Sequence, residues 1–192
     1  GYQGGVGAMR TMDTGHELDS LSDAEVDELV QLWRKANPNI VKLWGLVEAA
    51  AKEAVAEGRT SFLQHGLSIS RNLNPDHGLD FMVSGLPSGR RLYYPQPAVT
   101  QNRFGRPSIS YMGQNQTTRR WERMETWGGR LVENIVQAFA RDILAEAMLR
   151  LEDAGLPVVF SVHDEVIVEA PKDASVEDVQ RIMAQPVDWA PG

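Results

Sequence analysis

Residues 158–170 read VVFSVHDEVIVEA, and this stretch decides the fold. Val158, Val159 and Val162 on one side, with Val166, Ile167 and Val168 on the other, flank the polar residues His163, Asp164 and Glu165. Apolar, β-branched arms around a short polar centre predict a β-hairpin whose buried strands push two adjacent carboxylates up to a turn. Carboxylates on such a mount suit a hard cation, because Mg²⁺ is usually held by one or two carboxylates together with substrate phosphates. An ordinary solvated acidic turn accounts for the same triplet, since Asp-rich turns are common. The triplet by itself leaves both readings open.

Composition narrows the classes. At 192 residues, 42% hydrophobic and 23% charged, the chain can bury a real core and is not a disordered polymer. It has no cysteine, which excludes a disulfide framework and a thiolate metal site. His16, His65, His77 and His163 lack the spacing of a histidine zinc site. No apolar run reaches the roughly 18 residues of a membrane span, and no signal-like segment opens the chain. The expectation is a cytoplasmic protein with no membrane partner.

Charge is unevenly spread. Residues 85–130 carry eight arginines against Glu122 and Glu125, a net +6 that leaves −13 for the rest of a chain of net charge −7. These arginines are interleaved with Tyr93, Tyr94, Phe104, Tyr111, Trp121 and Trp127, and no lysine stands among them. Arginine forks match phosphate oxygens, so the segment reads as a surface that tracks a nucleic-acid backbone. Pairing with carboxylates from the acidic remainder is the competing reading.

Along the chain, Ser22 and Glu25 form a capping box that starts a helix on Val26, Leu29, Val30 and Trp33. It stops near Asn37-Pro38, where the proline opens a second helix carrying Ile40, Leu43, Trp44 and Val47 and closing at Gly58. The pair reads as a helical hairpin with its tryptophans in the core. Short strands follow at 67–73, 81–83, 91–94 and 108–112, with Pro-Ser-Gly at 87–89 as a turn and 95–107 as a loop. Residues 125–153 read as one long helix, apolar nearly all round and so sandwiched between layers. The carboxylate hairpin and an amphipathic helix from Ser175 complete the order. Together these predict an α+β fold, an antiparallel sheet backed by helices.

In this order the motifs resemble the C-terminal part of the family A, DNA polymerase I-like DNA polymerases, in their phage-type branch. Tyr2-Gln3-Gly4-Gly5-Val6-Gly7 is similar to the end of motif B, where the fingers helix finishes in a tyrosine and a glycine-rich turn. LPSGRRLYYP at 86–95 is similar to the turn, arginine pair and strand of the palm. Residues 128–169 resemble the helix that lies along the duplex followed by motif C, with its His-Asp-Glu triplet unchanged. The resemblance covers essentially the whole chain. It implies a right-hand polymerase palm over 59–192, with the C-terminal part of the fingers, a helical hairpin, over 1–58.

Roles carried by the resemblance follow residue by residue. Asp164 is implied as a catalytic ligand of two Mg²⁺ ions, with Mn²⁺ as the alternative, and Glu165 as its metal-proximal support. His163 is implied to touch the primer backbone, and Tyr2 to shape the pocket for the incoming dNTP. Gln137 is implied to reach the minor groove, which offers acceptors common to all base pairs. The family's asparagine stands four residues before that glutamine, where this chain has Glu133. Asn134, three residues back, is carried in its place as a template contact. Arg130, Arg90 and Arg91 complete the implied DNA contacts.

The motif A aspartate and the triphosphate-gripping arginine and lysine of the fingers have no counterpart in these residues. The expectation is therefore a template-directed DNA polymerase of viral replication, present as a piece. It would be inactive alone and complete only with the missing N-terminal segment or with a partner chain carrying motif A. Its partners are then primer-template DNA and dNTP. A non-catalytic duplex-binding module, one subunit of a split polymerase and a metal-dependent nuclease are the other readings.

Overall fold

The computed structural model describes residues 3–102 and 104–190. Its helical part opens with α1 (Val6–Met12), followed by α2 (Asp23–Ala36) and α3 (Pro38–Glu57). The capping box forms as expected, with the Ser22 hydroxyl accepting from the Glu25 N–H and the Glu25 carboxylate accepting from the Ser22 N–H. The Ser22 N–H, and after it the Ser22 hydroxyl, donate to the Glu25 carboxylate and lower its pKa from the ordinary value. Gly58 ends α3 with φ 68°, a left-handed cap that a residue with a Cβ takes only with strain. Trp44 is buried, as expected, whereas Trp33 stacks on it from the surface at 5.9 Å between ring centroids and stays partly exposed.

Three antiparallel sheets follow. The first orders β1 (Ser61–Phe62), β2 (Ser68–Asn74), β3 (Leu79–Gly85) and β4 (Arg91–Pro95) as a meander. The second joins β5 (Ala98–Gln101), β6 (Pro107–Gln114) and β7 (Trp121–Thr126). Two sequence expectations are corrected by it. Residues 95–107 are not all loop, because β5 pairs with β6 from Ala98↔Ser110 to Gln101↔Pro107. Nor does the long helix begin at 125. Residues 121–126 pair with β6 instead, and Met124 and Thr126 alternate inward in a period of two that a helical reading of the same residues hides.

α3 is the centre of the packing. Trp44, Val47, Ala50, Ala51 and Ala54 meet Ile69 and Met82 of the first sheet and Leu131, Val132 and Ile135 of α4 (Gly128–Asp153) in one core. Arg71 pins the end of α3 to the sheet. Its guanidinium makes two 2.8 Å bonds to Asp80 and one of 2.6 Å to the Val55 carbonyl, an acceptor left over in the last turn. The start of α4 is also satisfied from outside the helix, since Trp127 gives it no side-chain cap. The Gly128 N–H donates to Glu48 on α3 at 3.1 Å, and the Gly129 N–H to Gln3 at 2.9 Å.

The two halves of α4 are covered on opposite faces. Leu131, Ile135 and Ala138 are buried toward α3, and Leu144, Ala147 and Leu151 are buried nearly half a turn round from them, but Val136, Ile143 and Leu149 are exposed, so neither half is sandwiched all round among the described residues. β8 (Val158–Val162) and β9 (Glu165–Val168) form the predicted hairpin as a separate two-stranded sheet against α4, and α5 (Val176–Met183) packs on the same helix. Its arms are not buried. Phe160, Val162 and Ile167, together with Val159 at a bulge, are exposed by 41% or more. The register explains this. Phe160 faces Ile167 and Val162 faces Glu165 on one outward side, while Ser161, Val166 and Val168 turn inward.

Candidate functional site

The hairpin turns in two residues, His163 and Asp164, because Val162 pairs directly with Glu165. His163 takes φ 51°, the left-handed backbone that a tight hairpin turn requires. The carboxylates are therefore not equivalent. Asp164 sits on the turn, whereas Glu165 is the first residue of β9 and stands on the outward apolar side with Phe160 and Ile167. All three polar side chains are exposed. Among the described residues no cluster of three or more carboxylate or histidine side chains could hold a metal ion. The donor set fits an ion bound mainly by phosphate oxygens and water, with Asp164 as one hard ligand. It does not make a closed cage, nor a two-metal site on its own.

On α4, Arg130, Asn134 and Gln137 fall at i, i+4 and i+7 and so share a face. Arg141 extends that stripe by another turn to about 16 Å, at 1.5 Å per residue. The sequence reading missed it, although its i+7 spacing from Asn134 was visible. Gln137 and Arg141 are exposed, and Arg141 holds no salt bridge among the described residues. Arg130 is half-buried with its guanidinium 5.7 Å from the centre of the Trp127 ring, within cation–π range.

Asn134 spends one amide donor on the Tyr94 hydroxyl at 3.3 Å, which ties α4 to β4. Burial pushes the Tyr94 hydroxyl above its ordinary pKa, and the Asn134 bond opposes that only in part. A raised folded pKa adds stability that is complete below the unfolded value of about 10 and is lost as pH climbs through the folded one. Alkaline unfolding followed by circular dichroism should therefore begin near that pH, and Tyr94→Phe should flatten the dependence. An unchanged alkaline limb in the variant would show that Tyr94 does not set it.

The arginine segment divides into two kinds. Arg90 is committed to the protein, with Nε to Asp142 at 2.6 Å and Nη2 to the Ala138 carbonyl at 2.8 Å, while Ser88 donates to the same carboxylate. It clamps the turn between β3 and β4 onto α4, and Asp142 is only 11% exposed there. Arg90→Ala should cost about 2 kcal/mol, the scale of hydrogen bonds to a charged group, and a melting temperature unchanged within error would refute the clamp. Arg91, Arg106, Arg119 and Arg120 are exposed and hold no salt bridge among the described residues. The acidic remainder of the chain thus does not neutralise them. Tyr2 lies outside the described residues.

Over its whole length the chain is similar to the DNA polymerase of Bacillus phage SP02, at 44% identity over 194 aligned residues. It spans 28% of that relative. No protein-family model matches the chain, and no solved structure matches it. No helix among the described residues is long and apolar enough to cross a membrane.

Proposed function

We propose that this chain is the part of a template-directed DNA polymerase, of family A and its phage-type branch, that carries the palm and the end of the fingers. The observation that carries the reading is the hairpin itself, a turn presenting Asp164 to solvent directly behind a long helix with a polar stripe. The end-to-end similarity to a phage DNA polymerase supports it.

In this reading Asp164, with Glu165 in support, holds Mg²⁺ or Mn²⁺. The metal supplies charge neutralisation at the primer 3′-oxygen and the departing pyrophosphate of a dNTP. The hydrogen-bonding side chains of Asn134 and Gln137 and the charges of Arg130 and Arg91 orient the primer-template duplex along α4. His163 meets the primer backbone, Tyr2 the nucleotide. Arg90 serves the same surface indirectly, through the clamp that holds β4 to the helix.

The described residues supply one carboxylate pair where the reaction class needs carboxylates from two strands. The second comes from outside them, on the same polypeptide or on a partner chain. The test is primer extension. A polypeptide uniting this segment with the rest of its polymerase should extend a primer on a template in Mg²⁺, while the 192 residues alone should not. Extension without added divalent metal, or none by the complete polypeptide, would overturn the reading.

A further inference from the structure

Beyond α4 and the carboxylate hairpin, the tip of the β6–β7 hairpin has a construction that the polymerase reading does not use. β5 pairs only with residues 107–110 of β6, so residues 111–114 and their partners on β7 run on as a two-stranded arm. The loop at its end is tightly built around Asn115. The Asn115 carboxamide oxygen accepts from the Thr117 N–H at 2.8 Å and the Thr118 N–H at 3.1 Å. Its backbone oxygen accepts from the Arg119 N–H at 2.8 Å, and its N–H donates to the Arg120 carbonyl at 2.9 Å.

That scaffold holds Arg119 at φ 58°, a left-handed conformation which glycine or asparagine adopts far more readily than arginine. Nothing within the described fold uses the side chain placed there, since neither Arg119 nor Arg120 holds a salt bridge. Beside them Trp121 is 63% exposed. The nearby acid does not pair with either arginine: Glu122 stands on the face of the arm opposite Trp121, accepts from the Asn115 amide, and forms no salt bridge among the described residues. The hydrogen-bonded tip thus presents two cations without a salt bridge among the described residues and an exposed aromatic ring, in the one strongly basic segment of an acidic chain.

We propose that this tip is a docking site for single-stranded DNA, in which Arg119 and Arg120 take phosphate oxygens and Trp121 stacks on an unpaired base. Charge complementarity selects a polyanion. The exposed ring selects a single strand, because a duplex offers base edges in its grooves and keeps base faces stacked inside. The site is separate from the duplex-facing stripe of α4 and does not depend on polymerase activity.

The test is fluorescence anisotropy of labelled oligothymidylate, which forms no duplex, with the full chain over a series of salt concentrations. Arg119→Gly relaxes the backbone while removing the cation, so it should fold at least as well as the parent. It should also lower the slope of log affinity against log salt by roughly 0.7, the value for one phosphate contact on a single strand. Trp121→Leu should weaken binding about tenfold, and Trp121→Phe should restore most of it. Affinity within twofold of the parent in both Arg119→Gly and Trp121→Leu overturns the proposal, as does parental binding that is absent or tighter to oligouridylate. Duplex binding measured alongside with Gln137→Ala reports on α4 alone, so failure at the tip is distinguishable from failure of the polymerase reading.

Discussion

Asp164→Ala in the complete polymerase should lower the rate of primer extension about a thousandfold, or about 4 kcal/mol at 1.36 kcal/mol per tenfold. The magnitude follows from what the carboxylate does in the proposed site. One hard oxygen ligand is withdrawn where negative charge develops on two oxygens at once, and water cannot restore a fixed charge at that point. The substitution is clean structurally. Asp164 is exposed on the turn, it makes no side-chain hydrogen bond among those described, and the Val162↔Glu165 pairing that closes the hairpin is carried by backbone. Melting temperature and duplex affinity should therefore stay close to the parent. Glu165→Ala should cost about tenfold, in keeping with a supporting role on the strand rather than on the turn. Extension by Asp164→Ala within tenfold of the parent would rule out the metal-ligand role.

Gly128→Ala should destabilise the fold by about 3 kcal/mol, at the upper end of ordinary overpacking. A Cβ at Gly128 would lie 2.1 Å from the Trp44 carbonyl oxygen and 2.9 Å from its carbon, far inside van der Waals contact. The obstruction is backbone of α3, so no rotamer change relieves it. α4 must move away, stretching the bond from the Gly128 N–H to Glu48. For a chain of this size the cost corresponds to a fall in melting temperature of about 6–12 °C. Gly45→Ala is the matching control one residue beyond Trp44. A Cβ there meets nothing within 4 Å, and an exposed glycine inside a helix costs about 0.5–1 kcal/mol relative to alanine. It should raise stability by that amount. A Gly128→Ala variant melting within 2 °C of the parent, an interval well below the expected shift, would show that the two helices can part cheaply. Because Asn134 and Gln137 ride on α4, the same variant should also weaken duplex binding.

Much of the site is legible in the amino-acid sequence. The β-branched arms around His163, Asp164 and Glu165 were enough to expect a hairpin, because strand propensity and turn chemistry are local; of the two carboxylates expected at its turn only Asp164 is there, since Glu165 pairs with Val162 as the first residue of β9. The Ser22 capping box, the proline at 38 and the glycine at 58 marked both helix boundaries for the same reason. Arg141 lies in the same helical period as Asn134 and Gln137 but belongs to none of the motifs that carry the resemblance, so only its place on α4 marks it. β7 was not read as a strand, and its last two residues, Glu125 and Thr126, were given to the long helix, because only the pairing with β6 shows where the strand ends and the helix begins.

What the amino-acid sequence determined by itself was the two-helix hairpin, the long helix ahead of the carboxylate hairpin and the concentration of arginine in one segment. Each depends on neighbours a few residues away. The tertiary structure alone decided which arginines are spent and which are not, because Arg90 finds Asp142 on another element, whereas Arg119 and Arg120 hold no salt bridge among the described residues. It also decided that Phe160 and Ile167 face outward. An apolar strand encodes a wish to be covered, but only the arrangement of the other elements settles whether anything among the described residues covers it.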